Sequence, residues 1–368
     1  MMPPGAVITE GRTRILVPET RSRGGPGRIE RGSVFFNEQM AFNRDVSIML
    51  LRALGRPDMT VADAMTATGS RAVRIANEVP SVEVTANDRD PGAVPYIEAN
   101  IELNGLGNCR ASNMDMHCLF SDSSYDYVDL DPFGSPSLFI QSAIRGCRHG
   151  GVLAVTATDT APLDGAQAAK CRRRYQCEPV RGHMCHEGGL RILLCNMARE
   201  MGKFNRGMRP ILAFYSDHYY RAYVRLEEGT AACDRMLSRL GYMKYDRETL
   251  ARETSERYDA EHPLGPFWLG PLFDKELISR MSPEGMAEEK RCIKELALWK
   301  DEIDSVPFLY DVSELSRLTK VSPPNLEEFV AMLNETGHAS KTHFSPTSFV
   351  TDLPLKEIIE RYVEAGRR

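Results

Sequence analysis

DYVDLDPFGSP, residues 126–136, reads as a short apolar strand that ends on a carboxylate, Asp131, and turns at once through Pro132, Phe133 and Gly134. A run of this length bounded by turn residues suits a strand buried on both faces of a parallel sheet. Working outward, strand and helix alternate. Upstream, MTVAD (59–63) is a strand, AMTATG (64–69) a loop, SRAVRIANEV (70–79) a helix and SVEVTAND (81–88) a strand. PGAVPYIEANIELNG (91–105) carries helix start and stop signals, proline at its head and Gly105 past its end. Downstream follow a helix in PSLFIQSAIRGC (136–147), a strand in GGVLAVTAT (150–158), a helix in GGLRILLCNMAREMG (188–202), and strands in RPILAFYSD (209–217) and RAYVRLE (221–227). This alternation predicts an α/β fold, a mainly parallel, doubly wound, Rossmann-like sheet with its sites at the carboxyl ends of the strands.

The chain has 368 residues, more than one core comfortably holds, so two domains are expected. The texture changes near residue 226. The stretch 244–262 is dense in charge, and helical patterns at 287–303 and 325–337 are broken by VSPPN and THFSP. The expected division is 1–226 for the sheet domain, with a basic N-terminal segment, and 227–368 for a smaller α+β domain. Hydrophobic residues at 42% and charged residues at 26% suit a soluble globular protein. No apolar run reaches 18 residues and the N-terminus lacks a signal-peptide core, so a cytoplasmic location is expected. None of the nine cysteines forms a CxxC pair, which points to reduced thiols.

The net charge of −5 does not favour a polyanion partner, but three local basic clusters do. One comprises Arg12, Arg14, Arg21, Arg23, Arg28 and Arg31, a second Lys170, Arg172, Arg173 and Arg174, and a third Lys203, Arg206 and Arg209. Each taken alone is better explained by solvated arginines on loops.

Three strand ends carry candidate chemistry. The loop from Asp63 to Gly69 has one glycine, enough to let a ligand approach backbone at a helix start but not a dinucleotide fingerprint. Asp88 ends the next strand, 25 residues after Asp63, close to the spacing of an acid that binds a ribose diol. Asn87, Asp88 and Asp90 equally suit capping of the following helix. Asp115 and Met116 precede the third strand, where fold analogy places an adenine ring. At Asp131 the chemistry is more specific. An exocyclic amine conjugated to a ring is a poor nucleophile. A carboxylate beside a backbone carbonyl accepts both its N–H bonds and aims its lone pair at a methyl donor. Asp131 and the Pro132 carbonyl supply those acceptors, proline fixes the turn, and Phe133 offers a face for a base, worth about 1–3 kcal/mol. The segment is similar to the Asp/Asn-Pro-Pro-aromatic signature of amino methyltransferases, with Phe133 in the second proline's place. Together these features favour an enzyme that uses S-adenosyl-L-methionine (AdoMet).

Beyond these residues the chain resembles the archaeal and eukaryotic tRNA (guanine-N2)-dimethyltransferases. The resemblance is carried in order by EGRTRILVP, VFFNEQMAFNRDVS, TATGSRAVR, NDRDPGAVPYIEANIELNG, DLDPFGSP, TATDTAPL, CRRRY, HEGGLRILL, GPFWLGPL and SKTHFSP. It implies AdoMet as cofactor, tRNA as partner, and methylation of a guanine N2 amine, most often at position 26 and twice. It further implies that Arg44 and Arg71 hold the methionyl carboxylate, that Asp88 takes the ribose hydroxyls, and that Asp115 and Met116 flank the adenine, where the family usually has a smaller residue than Met116. Asp131 would hydrogen-bond the guanine amine and help remove its proton, and Phe35 with Phe133 would sandwich the base. On residue type alone, Arg44 equally suits a helix salt bridge and Phe35 an ordinary core ring.

Many relatives carry two cysteine pairs before the GPxW segment. Here residues 239–268 contain no cysteine and only His262, so no zinc is expected there. Cys171, Cys177, His183, Cys185 and His186 have irregular spacing, and buried thiols explain them better than a metal does. No obligatory protein partner is evident. Two other readings compete: a methyltransferase acting on an adenine amine or a protein glutamine, and a non-catalytic RNA-binding protein on the same fold.

Overall fold

The computed structural model describes residues 2–19, 34–302 and 306–366. In chain order these form β1 (Ala6–Glu10), β2 (Thr13–Val17), α1 (Ala41–Leu54), β3 (Met59–Asp63), α2 (Ser70–Glu78), β4 (Val82–Asn87), α3 (Val94–Leu103), β5 (Cys109–Ser112), α4 (Met116–Asp122), β6 (Tyr125–Leu130), α5 (Ile140–Gly146) and β7 (Cys147–Ala157). Then come α6 (Thr160–Leu163), α7 (Ala168–Tyr175), α8 (Cys185–Gly202), β8 (Arg206–Ser216), β9 (Tyr219–Glu228), β10 (Leu240–Tyr245), β11 (Arg252–Ser255) and β12 (Leu264–Trp268).

Seven strands make one sheet in the order β5-β4-β3-β6-β7-β9-β8. The first five run parallel, and the β8–β9 hairpin closes the edge antiparallel to β7. The run Val61, Ala62, Tyr127, Val128, Leu130, Leu153, Ala154 and Val155 is wholly buried, which is why these strands read as continuous apolar stretches rather than alternating ones. The chain winds outward from β3 through β4 and β5, then returns to place β6 on the other side of β3. That reversal puts a crevice above the carboxyl ends of β3 and β6, where Asp63 and Asp131 stand.

The β1–β2 hairpin lies against α3, and Asn100 fastens it by accepting from Leu16 N (2.5 Å) and donating to the carbonyls of Leu16 (3.1 Å) and Thr68 (2.9 Å). Between the hairpin, α1 and α2 lies a buried ionic cluster. Arg44 forks onto Glu10 (2.6 Å), and Arg74 pairs with Glu10 (2.9 Å), Asp45 (2.7 Å) and Glu78 (2.9 Å). Burial would raise the Glu10 carboxyl, but the two guanidinium groups hold it down at about 2.

The main hydrophobic core does not stop at residue 226. Met243, Phe267, Trp268, Leu277, Trp299, Phe308 and Phe344 continue it, and a separate core forms from Leu250, Tyr310, Leu315, Phe329, Leu333, Phe349, Ile358 and Tyr362. The cysteine-free segment folds as an antiparallel sheet, β11-β10-β12, with Met243 and Phe267 fully buried, so packing holds it. No helix among the described residues is long and apolar enough to cross a membrane.

Candidate active site

The loop after β3 turns at Gly69, whose φ of +80° suits glycine, and α2 starts immediately. Asn87, at the end of β4, braces this loop. Its Nδ2 donates to the carbonyls of Ala64 and Met114 (both 3.0 Å), and its Oδ1 accepts from Ser112 Oγ (2.8 Å) and Met114 N (3.1 Å). Asp88 accepts from Ala67 N (2.8 Å) and Asp90 N (2.9 Å), so its carboxylate stands at the rim of the β3–α2 loop. The capping of the turn before α3 falls to Asp90, which accepts from Gly92 N (2.9 Å). Asp115 is exposed and caps α4 through His117 N (2.8 Å), while Met116 is buried beside it.

Asp131 follows the last residue of β6, with 19% of its side chain exposed. Arg71 Nη2 donates to its Oδ2, and Arg71 Nη1 donates to Asn43 Oδ1 (2.8 Å) and Ser47 Oγ (2.9 Å) of α1. Arg44, expected beside Arg71 at the cofactor's carboxylate, instead has Nε and Nη2 on Glu10 and a further bond from Nη2 to the Asn37 carbonyl (3.1 Å). Arg71 is thus the expected carboxylate ligand that reaches the β6 strand end. Pro132 is buried, and the turn it starts is pinned to the end of β7. Gly134 N donates to Thr158 Oγ1 (2.8 Å), and Thr158 N donates to the Gly134 carbonyl (3.0 Å).

Phe133 projects from this turn with 65% exposure. Its ring meets Phe35 edge to face, centroids 4.7 Å apart at 85°. The two expected base-holding rings are therefore neighbours. A base between parallel rings needs about 7 Å, twice a carbon contact distance. The rings must part and turn before they hold one.

Beneath these groups lies a polar layer that sequence reading missed. Asp129, wholly buried, is held by Arg221 of β9 (3.0 and 2.6 Å) and by the Tyr127 hydroxyl (2.8 Å), with Arg71 Nε at 3.5 Å. Burial alone would raise Asp129, but Arg221 and Arg71 keep it below the usual carboxylate range. Asp63 goes the other way, pushed up to about 7 by burial and by the charge of Asp129. A charge inside a buried strand demands a partner. That rule flags Asp129, though not where its partner lies. On the far side of the turn, Ser135 Oγ donates to Tyr175 OH (2.8 Å), which donates to Asp159 (2.6 Å), and Arg174 pairs with the same carboxylate (2.9 Å).

The Cys171, Cys177, His183, Cys185 and His186 group does not converge. Cys171 and Cys177 are buried, and His183 lies 3.6 Å from Asp311. Cys185 and His186 join Asp164, whose Oδ1 accepts from Tyr220 OH and lies 3.3 Å from His186 Nδ1. Of the basic clusters, the third is internally paired, Lys203 to Glu200, Arg206 to Glu228 and Arg209 to Asp274. In the second, Arg172 and Arg174 are paired, while half-buried Lys170 and exposed Arg173 have no partner among the described residues. Arg21, Arg23, Arg28 and Arg31 of the first lie outside the described residues.

A parallel sheet wound outward from β3, acids at its strand ends and an Asp-Pro-Phe turn above the point of reversal define the class, an AdoMet-dependent methyltransferase. Comparison narrows it. The profile of the family described as N2,N2-dimethylguanosine tRNA methyltransferase matches residues 11–363. A Pyrococcus horikoshii tRNA (guanine(26)-N(2))-dimethyltransferase is 37% identical, over 96% of this chain and 97% of its own. The Methanocorpusculum labreanum protein of the same name is 38% identical, over 96% of each. The solved complex of Pyrococcus horikoshii Trm1 with S-adenosyl-L-methionine superposes with a TM-score of 0.88 at 35% identity, covering 97% of this chain and 99% of that one. The chain belongs to the N2,N2-dimethylguanosine tRNA methyltransferase family.

Proposed function

We propose that this protein transfers methyl groups from AdoMet to the N2 amine of guanine 26 in tRNA, through to the dimethylated base. The observation that carries the reading is Asp131, a half-buried carboxylate at the β6 end with the Phe35–Phe133 pair beside it. The crevice suits AdoMet. Thr68 Oγ1 in the β3–α2 loop and Asn43 Nδ2 beside Arg71 are buried polar atoms without a partner among the described residues. Arg71 would hold the methionyl carboxylate, Asp88 the ribose hydroxyls, and Asp115 with Met116 the adenine edge and face. When bound, the cofactor supplies a methyl group activated by its sulfonium.

The chain's own work is positioning. Phe35 and Phe133 hold the extruded guanine, which offsets part of the cost of unstacking it. Asp131 and the Pro132 carbonyl accept the amine hydrogens, and Asp131 takes the proton released on transfer. A second transfer needs the monomethylated amine to turn its remaining hydrogen to Asp131. Unpartnered Lys170 and Arg173, the basic N-terminal segment and the 227–368 region would grip phosphates, so binding weakens with salt. A tRNA substrate, as the relatives' names give for those proteins, supports work in the cytoplasm. Nucleoside mass spectrometry of a tRNA transcript incubated with enzyme and AdoMet should show N2-methyl- and N2,N2-dimethylguanosine, lost when guanine 26 is replaced. Methylated adenine, or no product, overturns the assignment.

A further inference from the structure

We propose that Leu138 enters the RNA stack in the place that the target guanine vacates. The proposal rests on the reading above, in which Phe35 and Phe133 receive an extruded base. Single exposed leucines are common and by themselves mean nothing. Leu138 differs in degree, place and support. At 82% it is the most exposed of the seven exposed large hydrophobic residues among the described ones. It lies five positions from Phe133, at 65%, on the one loop that begins at Asp131.

That loop is braced. Besides the Gly134–Thr158 bonds, Phe139 N donates to the Pro136 carbonyl (2.9 Å), and the Phe139 ring stacks on His117 (5.9 Å). The Ser135–Tyr175 bond also fastens the loop to α7, which carries the unpartnered Lys170 and Arg173. An apolar side chain on a fixed frame, bonded to a helix that carries two unpaired cations, suits a gap between bases with phosphates nearby. Leucine needs no hydrogen bond there, and ordering an already fixed loop costs little entropy. Apolar wedges of this type unstack base steps in other nucleic-acid complexes. Phe133 would then hold the guanine outside while Leu138 keeps its place from refilling.

The test compares wild type, Leu138→Ala and Leu138→Met on two transcripts, a folded tRNA and the same tRNA with abasic sites flanking the target guanine. AdoMet affinity serves as the check on folding. On folded tRNA, Leu138→Ala should lose about tenfold or more in kcat/KM, and Leu138→Met should recover most of it. On the abasic transcript all three should agree. A 2-aminopurine next to the target should brighten with wild type and much less with Leu138→Ala. Equal rates for Leu138→Ala and wild type on folded tRNA, or equal losses on both transcripts, overturn the proposal. A wild type that methylates guanine in neither transcript fails the functional reading itself.

Discussion

Arg71 donates to Asp131 through the guanidinium that Asn43 and Ser47 of α1 hold in place. On the proposed reading, the cation that would hold the cofactor's carboxylate is bonded to the carboxylate that would meet the guanine amine. A second carboxylate arriving at Arg71 would compete with Asp131 Oδ2 and free lone pairs for the amine hydrogens. Cofactor and base would then bind cooperatively, and the coupling would be reciprocal.

This coupling depends on the methionyl end of the cofactor. S-Adenosylhomocysteine should raise affinity for tRNA about fivefold or more, within the usual range of coupling energies. Methylthioadenosine, which fills the adenosine site without a carboxylate, should leave it unchanged. Equal enhancement by both compounds would rule out competition at Arg71.

Asp131→Ala should lower kcat by about 10²–10⁴-fold, the usual worth of a positioned proton acceptor. Removing the carboxylate leaves Arg71 freer, so AdoMet should bind at least as tightly as to wild type. Single-turnover methylation and calorimetry separate the two effects. Near-normal turnover would remove Asp131 from the chemistry.

Phe133→Ala acts on capture of the base. Loss of one stacking face is worth about 1–3 kcal/mol, so KM for tRNA should rise roughly 5- to 150-fold. AdoMet affinity should hold, because Phe133 contacts Phe35 and solvent rather than the β4 rim. Unchanged KM with saturating cofactor would count against stacking.

The sheet was readable because β3, β4, β6 and β7 are buried on both faces and bounded by turn residues. Asp88 and Asp131 were readable as acids at their ends. The supporting layer was not. Arg221 sits 92 residues after Asp129 and reads as one cation on an alternating strand, and Glu10 meets Arg44 and Arg74 across 34 and 64 residues. Nothing in spacing announces such partners, since closure of the sheet brings them together. Arg44 shows the converse case. A residue type suited to a carboxylate ligand found a carboxylate inside the protein.

Arg221 supplies a stability test for that hidden layer. Arg221→Met leaves buried Asp129 with the Tyr127 hydroxyl and, at 3.5 Å, Arg71, and removing one partner of a buried ion pair costs about 3–5 kcal/mol. Urea unfolding should show a loss of that order. Adding Asp129→Asn should restore part of it, because the stranded charge is then gone. A double variant as unstable as the sum of the singles would mean the pair is not coupled.

His186 gives a pH dependence whose sign can be worked out. Its ring stacks on Tyr215 (3.9 Å) and faces Asp164, Cys185 and the Tyr220 hydroxyl. Burial disfavours its charge, but hydrogen bonds to Asp164 and Cys185 outweigh burial and lift its pKa to about 9. An unfolded histidine titrates near pH 6.5. The folded protein thus binds the proton more tightly, and this stabilisation is fully present below about pH 6.5 and lost as pH rises through about 9. Thermal unfolding of wild type and His186→Asn should differ most near pH 6, with wild type the more stable, and the gap should close by about pH 9.5. Titrations shared by both proteins cancel in that difference. A gap that stays constant across the range would place the neutral imidazole, and its stacking on Tyr215, at the source of the stability instead.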